Sequence, residues 1–208
     1  NVAAGTYKPT LKPYENGTPI TTADARDVTF HLANGVAMYG GFNAGTGTRD
    51  IAANPTILSG DIGTPNDNTD NAYHVVLSVS DDATTVLDGF TVRGGNANIG
   101  GFITVEAQNV SKLSGGGMAN ISSSPTITNC TFTGNMAGGA GGGIYNEDSS
   151  PSITNCTFTG NSASFGGGGM YNTDLSSPNI TNTTFTGNSA SVGGGMYNNY
   201  ASAPIITN

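Results

Sequence analysis

The feature that most constrains this chain is a repeat in its second half. Gly-Gly-Gly triplets begin at Gly115, Gly141, Gly167 and Gly193, and the spacing between them is 26 residues. A second block, Pro-x-Ile-Thr-Asn-x-Thr-Phe-Thr-Gly-Asn, follows each of the first three triplets. Its third copy has one extra residue before Pro178, and one residue is missing before the next triplet. A period of this length indicates structural units that stack on one another.

The pattern inside each unit is typical of short β-strands. Thr-Ile-Thr at 126–128 and Thr-Phe-Thr at 131–133 alternate β-branched polar and apolar residues with a period of two. Gly and Ser-Ser-Pro segments interrupt these runs before a helix of useful length could form. In a stack of identical coils, each strand pairs in parallel with its copies about 4.8 Å above and below. The repeat therefore predicts an all-β parallel solenoid with about 26 residues per rung.

Stacking also brings identical side chains into columns. Ile127 aligns with Ile153 and Ile180, and the phenylalanines of the second block align in the same way, which predicts a continuous apolar interior. We interpret three columns of asparagine as structural amide ladders rather than catalytic groups. The columns are Asn120, Asn146, Asn172, Asn198; Asn129, Asn155, Asn182, Asn208; and Asn135, Asn161, Asn188.

The two cysteines fall in one further column of small residues. Cys130 lies above Cys156, and we expect Thr183 and Gly89 in the neighbouring rungs. This favours packed thiols over a metal site, because two ligands are too few for zinc. The spacing leaves a disulfide open.

The whole chain is predicted to be one domain, 1–208, in two parts. Residues 1–113 are expected to form irregular rungs with inserted loops, the longest at about 98–113, and residues 114–208 form the regular repeats. The strand spacing predicts a rod of roughly 7–8 rungs.

The charge content excludes some partners. Only 10% of the residues are charged and the formal net charge is -8. A nucleic-acid binder needs Lys and Arg to displace counterions from phosphates, so nucleic acid is not an expected partner. No run approaches the roughly 18–20 apolar residues of a membrane span, so none is predicted in this chain.

The paired motifs resemble a known family. Gly-Gly-Gly-[Met/Ile]-x-Asn followed by Phe-x-x-Asn, as in 132–135, is similar to the repeats of polymorphic outer-membrane proteins. The wider resemblance is to bacterial right-handed β-helix surface proteins of the pectin-lyase-like superfamily. It implies a right-handed parallel β-helix that is extracellular or on the cell surface and serves as a non-enzymatic structural or adhesive protein. Because polysaccharide-cleaving enzymes share this fold, polysaccharide binding or cleavage is the alternative.

The sequence does not favour catalysis. The polygalacturonase-like enzymes of the same resemblance carry Asn-Thr-Asp, Asp-Asp, Gly-His-Gly and Arg-Ile-Lys motifs. Asn-Thr-Asp occurs at 68–70 and 172–174 and Asp-Asp at 81–82, but Gly-His-Gly and Arg-Ile-Lys do not occur in this sequence. From Gly115 onward the charged residues are Glu147, Asp148 and Asp174. No catalytic residue is predicted.

Three surface features are candidates for binding. Asp61, Asp67 and Asp70 lie in a loop rich in oxygen ligands, which suggests Ca²⁺ as a candidate ligand, although a solvated turn is the simpler reading. Tyr145, Tyr171 and Tyr197 should point outward as an aromatic stripe that can stack on sugars or pack against another molecule, unless neighbouring loops cover it. The Thr-x-Thr pairs at 131–133, 157–159 and 184–186 form a flat array of the kind used in ice binding. Ice binding is a remote alternative, because outward Thr is also the ordinary residue of a half-exposed strand.

The ends of a solenoid expose unpaired backbone groups. The last rung contains Ile205-Ile206-Thr207-Asn208 and stops where earlier copies continue. We therefore expect the chain to associate with itself end to end, as a homo-oligomer or filament, or to bind surface glycans.

Overall fold

The computed structural model describes residues 1–15 and 17–208. The first part of the chain contains short strands separated by loops of very different length. Two short 3-10 helices, Ala25–Asp27 and Asn68–Asp70, lie in these loops. The strands of this part are β1 (Gly5–Tyr7), β2 (Tyr14–Glu15), β3 (Thr18–Pro19), β4 (Phe30–His31), β5 (Ala37–Tyr39), β6 (Thr56–Ser59), β7 (Val76–Val79), β8 (Val86–Asp88), β9 (Phe90–Arg93), β10 (Asn96–Ala97), β11 (Phe102–Val105) and β12 (Gln108–Ser111).

The second part repeats one set of strands with almost constant spacing. Its strands are β13 (Met118–Ile121), β14 (Thr126–Thr128), β15 (Thr131–Thr133), β16 (Met136–Ala137), β17 (Ile144–Glu147), β18 (Ser152–Thr154), β19 (Thr157–Thr159), β20 (Ser162–Ala163), β21 (Met170–Thr173), β22 (Asn179–Thr181), β23 (Thr184–Thr186), β24 (Met196–Asn198) and β25 (Ile205–Thr207).

The strands form three long parallel sheets that the chain visits in turn. Sheet 1 has the order β4-β7-β13-β17-β21-β24, sheet 2 the order β5-β8-β14-β18-β22-β25, and sheet 3 the order β1-β6-β9-β15-β19-β23. A smaller sheet, β10-β16-β20, lies at the corner between sheet 3 and the next coil. In the described residues, five coils contribute to all three long sheets, and partial coils lie above and below them. The predicted parallel β-helix is confirmed.

The core runs along the inside of the three sheets as columns of stacked side chains. The rings of Phe132, Phe158 and Phe185 are nearly parallel, with centroids 5.0 and 4.7 Å apart. Ile127, Ile153 and Ile180 pair in register in sheet 2. Each fully buried side chain of this size contributes about 1.5–3 kcal/mol. The period-two alternation of the sequence therefore translates directly into a continuous core.

Two of the three asparagine columns form side-chain hydrogen-bond ladders. In sheet 1, the Nδ2 of Asn120 donates to Asn146 at 2.8 Å, Asn146 donates to Asn172 at 2.7 Å, and Asn172 donates to Asn198 at 2.7 Å. The column of Asn135, Asn161 and Asn188 binds the preceding coil's backbone as well as its own neighbours. Both columns satisfy polar groups inside the coil.

The third asparagine column lies at the turn between sheets 2 and 3. Asn129, Asn155 and Asn182 have φ values of +51°, +54° and +48°, which few residues other than glycine and asparagine adopt readily. Asn208 lies exposed after β25. The pairs Thr128–Asp88 and Thr131–Thr91 place Gly89 in this column.

The register corrects one prediction about the cysteines. Phe90, rather than Gly89, aligns with Cys130, because Gly89 takes the left-handed turn position at φ +83°. Both Cys130 and Cys156 are buried and free. Both lie in the main hydrophobic core, where the thiols pack as small apolar groups, and burial raises the pKa of Cys130.

The glycine triplets allow one coil to approach the next. A Cβ atom on Gly142 would lie 2.3 Å from the carbonyl oxygen of Ser162, and one on Gly168 would lie 2.3 Å from that of Ser189. Any larger residue would force the corner of the coil apart. The triplet is therefore a packing requirement of the repeat.

The predicted loop at 98–113 is instead a β-hairpin. Strands β11 and β12 pair antiparallel and lie against the outside of sheet 1. Ile103, Val105 and Val110 form a second hydrophobic cluster there, together with four buried residues of the sheet, Leu77, Val79, Ala119 and Ile121. The hairpin thus covers the outer face of β7 and β13.

A cluster of charges fixes the base of this hairpin. The Nζ of Lys112 lies 2.6 Å from Oδ1 of Asp27 and 3.7 Å from Oδ2 of Asp24. The Asp27 side chain is fully buried. The hydroxyl of Tyr73 donates to Asp24 at 2.8 Å, and burial with this contact raises the pKa of Tyr73 to about 12. Several loops of the first part are joined at this point.

Candidate functional site

An aromatic ladder runs along the outer face of sheet 1, beyond the hairpin. Tyr145, Tyr171 and Tyr197 follow the inward Ile or Met of each coil and so point away from the core. Their ring centroids lie 5.7 and 5.5 Å apart, and the rings are stacked. The structure therefore brings together the three predicted tyrosines.

Loops cover part of this ladder. The Phe165 ring lies 6.2 Å from the rings of both Tyr171 and Tyr197. Tyr171 is only 6% exposed, while Phe165 and Tyr200 are 53% and 70% exposed. The accessible aromatic surface thus belongs largely to Phe165 and Tyr200, neither of which the repeat pattern identified.

These residues line a cleft, which we call the aromatic cleft. Its volume is about 300 Å³, and its walls include Tyr145, Phe165, Tyr171, Asp174 and Tyr200. A more open depression of about 650 Å³ adjoins it, and Asp174 and Tyr200 line both. Together they form a concave surface with aromatic walls and a few polar groups, which is typical of a ligand site.

The extra residue of the third repeat builds one wall of this site. Ser149 and Ser176 are hydrogen-bonded across coils, as are Ser150 and Ser177, so the insertion falls immediately before Ser176. Leu175 lies there, with φ +63° and 69% exposure. The extra residue was visible in the sequence. The sequence did not show that it places the apolar side chain of Leu175 on the outside.

The cleft carries negative charge. The hydroxyl of Tyr145 donates to Oε2 of Glu147 at 3.0 Å. Burial raises the pKa of Glu147, and the nearby Asp174 and Asp148 carboxylates add to the rise. Burial and the Glu147 carboxylate likewise raise the pKa of Tyr145.

The candidate calcium ligands are not assembled into a site. Oδ2 of Asp61 accepts from the backbone N–H of Asn66, and Oδ1 of Asp67 accepts from that of Thr69. Oδ2 of Asp70 accepts from the backbone N–H of Thr64 at 2.7 Å. Across 1–15 and 17–208, no group of three or more His, Cys, Asp or Glu could hold a metal ion. Each carboxylate is used by its own turn instead.

The same loop borders a polar cleft on sheet 3. Asp61, Asn66, Asn68 and Arg93 line this cleft of about 410 Å³. Lys8 lies 3.5 Å from Asp61. The arrangement offers hydrogen bonds and both signs of charge to a ligand.

The enzyme-like motifs are tied into the fold. Asp81 is buried and accepts from the hydroxyl of Ser78 at 2.6 Å, and burial raises its pKa to about 6. Asp82 accepts from the backbone N–H of Thr84 at 2.8 Å. Burial lowers the pKa of both His31 and His74. The structure gives each of these groups a structural partner or a buried position.

The threonine pairs form an ordered array on the outer face of sheet 3. Thr131, Thr157 and Thr184 pair in register, as do Thr133, Thr159 and Thr186. Arg93 occupies the equivalent of Thr133 in the preceding coil and ends the array. Ice binding by this face stays a prediction, which a thermal hysteresis measurement would test.

The fold is a parallel β-helix with clefts on its sides. The chain belongs to the right-handed β-helix family, because the family model described as a right handed beta helix region matches residues 67–208. Comparisons with curated proteins and with solved structures gave no match. None of the helices in the described residues is long and apolar enough to cross a membrane.

Proposed function

We propose that this protein is a non-enzymatic structural or adhesive β-helix, extracellular or on the cell surface, that binds glycans through the aromatic cleft. The observation that carries the proposal is the pair of exposed rings, Phe165 and Tyr200, beside the stacked Tyr145, Tyr171 and Tyr197. The rest of the coil is a rigid support for this surface.

The chemistry of the cleft suits a sugar. The C–H faces of a sugar ring are apolar and pack on aromatic rings, which are flat and lose little entropy on binding. Sugar hydroxyls then need polar partners at the rim. Asp174 supplies a carboxylate there, and the hydroxyl of Thr173 donates a hydrogen bond to it at 3.3 Å.

The direct test is binding to a panel of oligosaccharides by isothermal titration calorimetry. Phe165→Ala and Tyr200→Ala should each weaken binding about tenfold, because each removes an accessible ring. Phe102→Ala is the matched control, since Phe102 is 63% exposed on the hairpin, outside the aromatic cleft. Equal losses in all three variants, or no binding by the parent protein, would refute the proposal.

A second candidate is supported by the polar cleft. Arg93 there supplies a cation for an acidic polysaccharide and Asp61 an acceptor for its hydroxyls, and the alternative of cleavage applies to this cleft. Incubation with acidic polysaccharides would decide it, by the release of reducing or unsaturated ends. Turnover that is lost in Arg93→Gln or Asp61→Asn would replace the non-enzymatic proposal.

Two finer statements belong to the same proposal. We infer from the resemblance that the protein is a bacterial surface protein with repeats of the polymorphic outer-membrane type, in the pectin-lyase-like superfamily. Association of copies end to end, as an oligomer or filament, also remains a proposal. Light scattering and negative-stain microscopy of the purified chain test it, and a monomer at all concentrations would count against it.

A further inference from the structure

Basic and acidic groups are distributed unequally along the rod. The six Lys and Arg residues all lie at or before Lys112. In the described residues the ion pairs join Lys8 to Asp61, Arg49 to Asp88, and Lys112 to Asp24 and Asp27. The carboxylates beyond this point therefore have no basic partner within the chain that the structure describes.

Those carboxylates lie in or beside the aromatic cleft. Asp174 lines both the aromatic cleft and the open depression beside it, where Asp148 also lies. Glu147 is bonded to the hydroxyl of Tyr145 in the aromatic wall. The negative charge thus coincides with ring surface rather than with an ordinary solvated face.

Aromatic rings and carboxylates favour the same kind of ligand. The face of a Tyr or Phe ring carries partial negative charge and attracts a cation within about 6 Å. An ammonium group also neutralises carboxylates that otherwise repel one another. Burial raises the pKa of Glu147, and the neighbouring Asp174 and Asp148 carboxylates add to the rise.

We propose that the aromatic cleft selects glycans that carry protonated amino groups, such as oligomers of glucosamine. The sugar ring packs on Phe165 and Tyr200, and the ammonium group lies between the aromatic wall and Asp174. This inference rests on the proposed glycan binding and specifies its ligand class.

The experiment compares two oligosaccharide probes of equal length that differ only at the nitrogen. Glucosamine hexamer, which is cationic, and N-acetylglucosamine hexamer, which is neutral, are titrated into the protein at pH 6 by calorimetry. We expect the cationic probe to bind about tenfold more tightly. Raising the salt concentration should weaken only the cationic probe, because salt screens charges near the surface.

Two variants separate charge from ring contact. Asp174→Asn keeps the size of the side chain and suits its φ of +52°. It should remove most of the preference for the cationic probe and weaken binding of the neutral probe far less, because the amide oxygen of Asn still accepts from a sugar hydroxyl. Asp50→Asn is the matched control, since Asp50 is an exposed turn residue on the opposite part of the chain. Tyr200→Ala should weaken both probes.

The outcomes distinguish this inference from the proposed function. Equal binding of both probes, or an unchanged preference in Asp174→Asn, would overturn the inference while glycan binding stands. If neither probe bound and no sugar of the panel bound, both the inference and the proposed glycan binding would be overturned. Tight binding of a lysine hexamer without binding of the glucosamine hexamer would show that the cleft accepts a cationic peptide instead, and would also overturn it.

Discussion

Residues 1–113 and 114–208 form the same coil by different means. The first part has variable loops, paired charges and a hairpin that covers the outside of sheet 1. The second part repeats the same turns, stacks identical side chains and leaves the outside of sheet 1 to the tyrosine ladder. The outer face of sheet 1 is therefore covered by the hairpin in the first part. In the second part the same face carries the aromatic cleft.

The difference shows what each region depends on. Long-range contacts between unlike residues stabilise the first part, and contacts between equivalent residues of successive coils stabilise the second. In a stacked array each coil depends on its immediate neighbours. Substitutions of equivalent positions in the two regions should therefore have different costs.

The largest effect is expected in the phenylalanine column. Phe158 lies between Phe132 and Phe185, with both rings stacked on it. Phe158→Ala should lower the free energy of unfolding by about 3–5 kcal/mol, because it leaves a cavity between the two rings. Urea denaturation followed by circular dichroism measures it, and Phe102→Ala should stay within about 0.5 kcal/mol.

The phenylalanine column continues into the first part with a smaller residue. Val92 pairs with Phe132 and continues the column there. Val92→Ala should cost about 2 kcal/mol, since fewer atoms are removed. If Val92→Ala cost as much as Phe158→Ala, ring stacking would not distinguish the regular coils.

The next effect concerns charge in the first part. Lys112→Met should destabilise the protein by about 3 kcal/mol, because it leaves the Asp27 carboxylate buried without a cation. The double variant Lys112→Met/Asp27→Asn should recover most of this loss. Glu147→Gln, the comparable change in the second part, should cost less than about 1 kcal/mol. Urea denaturation measures these costs. If Glu147→Gln cost more than Lys112→Met, buried charge would not be more important to the first part than to the second.

The asparagine ladder gives a smaller effect. Asn146 bonds Asn120 and Asn172, at 2.8 and 2.7 Å, and all three side chains are fully buried. Asn146→Ala should cost about 2–3 kcal/mol, because it leaves an amide group on each side without its partner. Asn179→Ala, at an exposed strand position, is the control. In the first part, Ser78 takes the equivalent place and bonds Asp81 instead.

The sequence predicted the regular coils closely, because one residue type recurs wherever one environment recurs. The stacked positions of Phe132 and Asn146 follow from the period alone. The hairpin was missed because its turn residues, Glu106 and Ala107, adopt φ values of +49° and +61° without the Asn or Gly typical of such turns.

The ion cluster and the cleft were missed for related reasons. Lys112 and Asp27 are far apart in the chain, and no local pattern joins them. Phe165 and Tyr200 lie in corners and turns, where stacking does not restrict the residue type. Their contribution to the aromatic cleft depends on the conformation of the loops that carry them, and a repeat pattern does not predict that conformation.

The last effect distinguishes the two parts by their dependence on pH. Burial raises the pKa of Asp81 to about 6 from 3.8, with Glu106 and Asp82 adding to the rise. The folded state therefore binds a proton more tightly than the unfolded state, so the free energy of unfolding should fall as pH rises from about 4 to about 6 and then level off. A rise of about two pKa units corresponds to a fall of about 3 kcal/mol.

Paired variants assign this pH dependence to a region. Asp81→Asn should flatten the profile between pH 4 and pH 6, since the amide still accepts from Ser78 but does not ionise. Glu147→Gln should remove a separate contribution of the same sign, because the pKa of Glu147 is also raised. Urea denaturation at half-unit pH steps measures both. If Glu147→Gln removed the larger share, the principal buried ionisation would lie beside the aromatic cleft, and the region with few charges would be the more sensitive to pH.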